Sequence, residues 1–331
     1  MRTKATALLL GILLLAGCHR AELPGVDVVF SIGEETRLTD TGGEGTAGGW
    51  TLLLYRDGQL AECGSSSGGT AIRKRLAAGG YTAFAVVNPP AGFRPENYTT
   101  LQELEKTASD LADNAPGHLV MAGSRTVSVP VPEGEIQRIG VDRLVCKAGI
   151  RKISVAFTDP LLAERPFRLK ALYLTNCYGK SRYGHDLEAS DILSDNVLWH
   201  NRMGFQSDAD VDGLLAEMGI DVPVTTASSH TQDHYFYYYP NPIPETLDTR
   251  SETWARRRTR LVIEAEIGGR TYYYPVTLPA SSRNRTYIIE EAVIRKLGSR
   301  DPEKDEPGAI DVTFSTSTED WGPTHNVSEN S

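Results

Sequence analysis

His230 and His234 lie four residues apart with Asp233 between them, and they are the most obvious metal-ligating types in the chain. On a helix that spacing puts two imidazoles on one face, where they can share a metal. Here they lead into the aromatic run Tyr235–Tyr239, which reads as a strand. At about 3.3 Å per residue, an extended backbone would hold the two rings more than about ten ångströms apart. The segment also lacks the glutamate of a His-Glu-x-x-His motif. A histidine pair without a ligand role is the expectation. Asp208, Asp210, Asp212 and Gly213 imitate the opening of a calcium loop, in which alternate carboxylates converge on a hard cation. The twelfth position, where a bidentate glutamate belongs, is Gly219, with Glu217 two residues early. An acidic loop capping a short helix near Leu214–Met218 fits better. Neither the serines at 65–67 nor the Gly117–Ser124 stretch with His118 makes a nucleophile elbow or a phosphate loop. Arg256, Arg257, Arg258 and Arg260 form a basic cluster on an acidic chain, either solvated, paired locally or facing an acidic partner. No nucleophile–base set can be assembled. The expectation is a protein that is not an enzyme, with no cofactor and no metal.

The N-terminus carries a different chemistry. Arg2 and Lys4 precede an apolar run from Ala7 to Leu15 that is too short to span a bilayer, which is the pattern of a signal peptide. It closes on Leu15-Ala16-Gly17-Cys18, which resembles a bacterial lipobox. By that resemblance residues 1–17 are removed, and the Cys18 thiol accepts a diacylglyceryl group. Losing Arg2 and Lys4 with no acid makes the net charge of −9 more negative by two. Such a chain has no general attraction for nucleic acid or anionic headgroups, so membrane attachment would be covalent. The other cysteines, Cys63, Cys146 and Cys177, are odd in number and widely spaced. They form neither a disulfide framework nor a metal set, although one pair could bridge. They are expected to be small buried apolar residues.

The elements that would position such groups are mostly short strands. Val26–Ile32 alternates, with Val26, Val28 and Phe30 on one face. Trp50–Tyr55 turns through Arg56-Asp57-Gly58-Gln59, and Tyr81–Val87 is stopped by Asn88-Pro89-Pro90. Thr100 and Glu103 have capping-box spacing before Leu101, Leu104, Ala108 and Leu111, which predicts one helix ending at Asn114–Gly117. Val127, Val129 and Val131 alternate, as do Ile153, Val155 and Phe157. Phe167, Leu169, Ala171 and Tyr173 predict one strand face, with Leu172 and Leu174 on the other. Residues 180–232 read as irregular. Leu261–Ile267, Gly268-Gly269 and Tyr272–Leu278 predict a hairpin, and Ile310, Val312 and Phe314 a last strand. At 331 residues two domains are expected, over 18–148 and 149–331. The fold class is mostly β: two β-sandwiches with one or two short helices.

Several of these features together resemble the fimbrillin superfamily, the type V pilins and their anchor and tip proteins from Bacteroidales-type bacteria. They are the lipobox, the 26–32 strand followed by Thr36-Arg37, and Leu52-Leu53-Leu54-Tyr55-Arg56-Asp57-Gly58. Further along come Gly79-Gly80-Tyr81, Tyr237-Tyr238-Tyr239-Pro240-Asn241-Pro242, Tyr274-Pro275-Val276-Thr277-Leu278, Arg283-Asn284-Arg285-Thr286-Tyr287 and Gly298-Ser299-Arg300-Asp301-Pro302. The resemblance implies two transthyretin-like sandwiches and a surface fimbria assembled by strand exchange with other subunits. It makes Val26, Val28 and Phe30 the core of a removable first strand and Arg37 the site of a trypsin-like processing protease. Ile310, Val312 and Phe314 would belong to the donor strand. A shaft subunit would lose its lipidated strand, whereas an outer-membrane anchor would keep it. From other classes come two alternatives: a non-polymerising glycan- or peptide-binding lipoprotein with a tyrosine platform, and a metal-dependent hydrolase using His230, His234 and the acidic loop around Asp208, Asp210 and Asp212.

Overall fold

A computed structural model describes residues 25–32, 47–69, 71–188, 198–202, 211–247 and 257–317. Cys18, Arg37, Asp208 and Asp210 lie outside the described residues. The first half of the chain gives β1 (Val26–Ile32), β2 (Trp50–Arg56), β3 (Gln59–Ser66), β4 (Ala71–Leu76), β5 (Gly79–Val87), α1 (Leu101–Lys106), β6 (Ala108–Asp110), β7 (Met121–Val129), β8 (Ile136–Ile139) and β9 (Asp142–Arg143). Two sheets result, ordered β4-β1-β8 and β3-β2-β5-β7-β9. They face each other across one core in which Val28, Phe30 and Ile32 meet Trp50, Leu52, Leu54, Ala85 and Val87. Period-two alternation puts these residues inside. β7 also comes very close to the backbone before β9: a Cβ at Gly123 would sit 1.9 Å from the Gly140 carbonyl oxygen, so only glycine fits there.

The second half gives β10 (Cys146–Ile150), β11 (Ile153–Val155), α2 (Pro160–Ala163), β12 (Phe167–Thr175), β13 (Cys177–Tyr178), β14 (Lys180–Arg182), β15 (Trp199–His200), α3 (Asp212–Leu215), β16 (Ala216–Val224), β17 (His234–Tyr238), β18 (Arg260–Ile267), β19 (Arg270–Thr277), β20 (Thr286–Ile294) and β21 (Ile310–Ser317). A four-stranded sheet, β16-β12-β18-β19, packs on a sheet in which β20 pairs with β10 and β11 on one side and with β21 on the other, while β17 pairs with β10. The β18–β19 hairpin turns on Gly268 and Gly269, both at positive φ (59° and 77°), which an L side chain resists. Phe167, Leu169, Leu172, Leu174, Leu261, Ile263, Ile289 and Ile294 share the core.

The two sandwiches have a wall in common. β2 and β5 turn Leu53, Tyr55, Phe84 and Val86 away from the first core into the larger second one. Short strands bolt the halves together: β6 pairs with β14, and Leu111 N–H donates to the Gly179 carbonyl at 2.9 Å. Tyr239 Oη lies 3.0 Å from Ser109 Oγ, 3.1 Å from the Asp110 carbonyl and 3.0 Å from Asn114 Nδ2.

The mostly β class with short helices holds, and several finer expectations change. The capping box at Thr100 and Glu103 forms, but α1 stops at Lys106. Thr107 is extended, and Ala108–Asp110 is drawn into the ladder with β14 instead of continuing the helix. β12 is buried on both faces as expected, yet a bulge between Leu169 and Ala171 swaps its rows: Leu172 and Leu174 join Phe167 and Leu169. Ala171 and Tyr173 pack with Val262 on the opposite face of the sheet. Within the stretch read as irregular, β16 runs for nine residues, with Gly219 and Asp221 at positive φ. Among the described residues no helix is long and apolar enough to cross a membrane.

Candidate strand-exchange site

β1 occupies the middle of the three-stranded sheet. It runs antiparallel to β4, with Val28 opposite Lys74 and Phe30 opposite Ile72, and parallel to β8, with Ile32 opposite Ile139. β4 and β8 do not pair with each other, so β1 is what joins them. Val28 and Phe30 are 0% exposed and Ile32 3%. Val26 only packs against the rim of the core, and Ile32 takes the third buried place. Burying side chains of this kind stabilises by roughly 1.5–3 kcal/mol each. If β1 were withdrawn, an apolar slot would remain, walled by Trp50, Leu52 and Leu54 and bordered by two unpaired edges. Arg73, Lys74 and Arg75 all lie within β4, in register with β1.

β21 is placed differently. Among the described residues it pairs with β20 on one side and has no partner strand on the other. Ile310 and Val312 pack partly on the second core, whereas Phe314 is 40% exposed. The connection leading into β21 is held firmly. Arg257 and Arg260, both buried, pair with Glu303 and Asp305, and Arg260 also donates to the Glu303 carbonyl at 3.0 Å. Two members of the basic cluster are thus locally paired and out of solvent. Sequence spacing could not reveal this, because the partners lie more than forty residues away.

His230 and His234 do not stay apart. Their Nε2 atoms are 2.7 Å from each other, and His234 Nδ1 is 2.5 Å from Glu217 Oε2 on β16. The separation expected from an extended run fails because only His234 lies on β17. His230 sits before an irregular turn and bridges to Ile153 instead. Among the described residues no group of three or more His, Cys, Asp or Glu could hold a metal. The tyrosine platform does not form: Tyr237, Tyr238, Tyr239, Tyr272 and Tyr274 are buried, and of the 235–239 run only Tyr235 is well exposed. The three cysteines are free thiols; Cys146 and Cys177 are fully buried, which pushes both thiols up, while Cys63 is only half-buried.

No protein-family model and no curated protein matches the sequence. Solved structures do match its architecture. A candidate cell adhesion protein from Parabacteroides distasonis ATCC 8503 aligns with a TM-score of 0.67 and 13% identity, over 91% of this chain and 99% of that one. A fimbrilin (fimA) from Porphyromonas gingivalis W83 aligns with a TM-score of 0.62 and 14% identity, over 88% and 97%. A candidate cell adhesion protein from Bacteroides eggerthii DSM 20697 gives 0.61 and 16%, over 89% and 96%. The chain therefore has the fold of these Bacteroidales fimbrilin-like proteins, along nearly their whole length.

Proposed function

We propose that this chain is a structural, non-catalytic subunit of an adhesive cell-surface fimbria assembled by strand exchange with other subunits. It would comprise two domains that meet just before β10, a few residues ahead of the 148/149 boundary expected from the sequence, and be delivered to the outer membrane as a lipoprotein acylated on Cys18. The observation that carries the proposal is β1: the first described strand, central to its sheet, with Val28, Phe30 and Ile32 buried in the core, and the strand that joins β4 to β8 among the described residues. Withdrawing such a strand leaves a groove that asks for main-chain hydrogen bonds and alternating apolar side chains together, and a strand from a neighbouring subunit meets both demands. Arg37, five residues after β1, is the proposed cut. Ile310, Val312 and Phe314, on an edge strand with one paired side, are the proposed donor residues.

The test is limited trypsin treatment at high protein concentration, followed by sedimentation and gel analysis. Cleavage at Arg37, slow loss of the first strand and a ladder of oligomers are expected, with Arg37→Ala removing the ladder while leaving the fold intact. A chain that is cut at Arg37, loses β1 and stays monomeric would overturn the polymerising role. The burial of Val28 and Phe30 favours a second role, a lipid-retained anchor, in which β1 is never released. In that case the surface-extracted protein keeps residues 18–37. Cys18→Ala should abolish labelling by a fatty-acid analogue, and undiminished label would overturn the lipid anchor in either role.

A further inference from the structure

The Glu217–His234–His230 chain stands apart from the strand-exchange site and is unexplained by it. The ring centroids are 5.0 Å apart and the Nε2 atoms 2.7 Å, so the rings meet tip to tip. Tip-to-tip nitrogens at that distance require one proton between them, because two lone pairs or two N–H groups would repel. Glu217 accepts the Nδ1 proton of His234, leaving His234 Nε2 to accept from His230. Three strands converge here. Glu217 is on β16, in one sheet of the second sandwich; His234 is on β17, in the other; His230 exchanges backbone hydrogen bonds with Ile153 of β11, N–H to carbonyl in each direction at 2.9 Å.

We propose that Glu217, His234 and His230 form a proton-operated latch between the two sheets of the second sandwich, closed at neutral pH and opened by a second added proton. The count is as follows. One proton from solvent can be accommodated: His234 becomes doubly protonated against the Glu217 carboxylate, and His230 moves its own proton to Nδ1 so that its Nε2 accepts. A second proton would set two imidazolium N–H groups against each other, and the contact must break. The Glu217 side chain is 46% exposed and the His234 side chain 1%, so protons arrive at the carboxylate end.

Among the described residues, the neighbouring charged groups are engaged elsewhere. On β10, Ile150 is opposite His234, and Lys147 lies over the Tyr235 ring. Arg151 and Lys152, before β11, are paired with Glu290 and Glu291 of β20. Asp233 is hydrogen-bonded by the Tyr235 hydroxyl. Asp212, at the start of α3, which packs on β17, has a side chain outside the described residues. Burial first, and His234 next, hold His230 below the ordinary histidine value, while Glu217 opposes them. The unfolded chain therefore binds the proton first. The stability contributed by the neutral ring is full above about pH 6.5 and declines as the pH falls below it.

The test is an imidazole NMR titration of the full mature chain, with urea unfolding of wild type and His230→Phe from about pH 7.5 to about pH 5. The two rings should titrate as a coupled pair, with His230 held below the ordinary histidine range. The wild-type urea midpoint should fall more steeply with acid than that of His230→Phe, with increased deuterium uptake confined to 216–224 and 230–238. If His230→Phe does not fold, Glu217→Gln decides, since removing the carboxylate that holds His234 should flatten the acid slope in the same way. Two rings titrating independently, or equal acid slopes, would overturn the latch. A rise in unfolding midpoint on adding zinc alone would also overturn it, because the nitrogens would then be metal ligands.

Discussion

The first and last described strands, β1 and β21, have similar lengths and the same alternating pattern, yet the fold treats them in opposite ways. β1 is paired on both sides, fills the first core with Val28, Phe30 and Ile32, and joins β4 to β8 in the sheet. β21 is paired on one side, and its third apolar residue, Phe314, faces solvent. What differs is position in the sheet, which alternation alone does not encode. In the proposed strand exchange that asymmetry matters: a strand in the β1 slot is offered two pairing edges and an apolar floor, whereas β21 has one paired side among the described residues.

Mutations can test how real that contrast is. The largest effect should come from Phe30→Ala, which empties a fully buried site and should destabilise the intact chain by about 3–5 kcal/mol in urea unfolding. A loss below about 1 kcal/mol would mean that β1 is not integral to the first core. Next comes the clasp ahead of β21. Glu303→Ala leaves the buried Arg257 without that carboxylate, and a loss of up to about 3–5 kcal/mol is expected. Should the same change leave stability untouched, the last strand is anchored by its own pairing rather than by the loop before it. The smallest effect belongs to Phe314→Ala, at about 1 kcal/mol or less, because much of the ring is already in water. A cost equal to that of Phe30→Ala would erase the distinction between the two strands.

Sequence pattern revealed most where the chain neighbours itself. The 50–56 and 59–66 hairpin, the β18–β19 hairpin and the capping box at Thr100 depend on contacts a few residues away, and turn or capping residues report them. β20 was missed although it is the centre of its sheet. Its run Tyr-Ile-Ile-Glu-Glu-Ala-Val-Ile contains a bulge at Ile289/Glu291 that breaks the period of two. β16 was hidden for a similar reason, with Gly219 and Asp221 at positive φ inside it. The meeting of His230 with His234 needs an irregular turn of three residues, and the pairing of Arg257 with Glu303 needs a loop on the far side of β19 and β20. Neither leaves a periodic trace. At the candidate strand-exchange site, β1 was legible because it is amphipathic; its central place was not, because β4 and β8 arrive much later in the chain.

The wall shared by the two sandwiches has a mechanical consequence. Leu53, Tyr55, Phe84 and Val86 belong to the second core while their neighbours on the same strands belong to the first. The halves therefore meet through a layer that neither can give up, and no linker is interposed to act as a joint. A pull on one sandwich is taken up by the ladders of β2 and β5 along their length, where many hydrogen bonds share the load. A row of such units would behave as stiff segments in series, bending only where one molecule ends and the next begins.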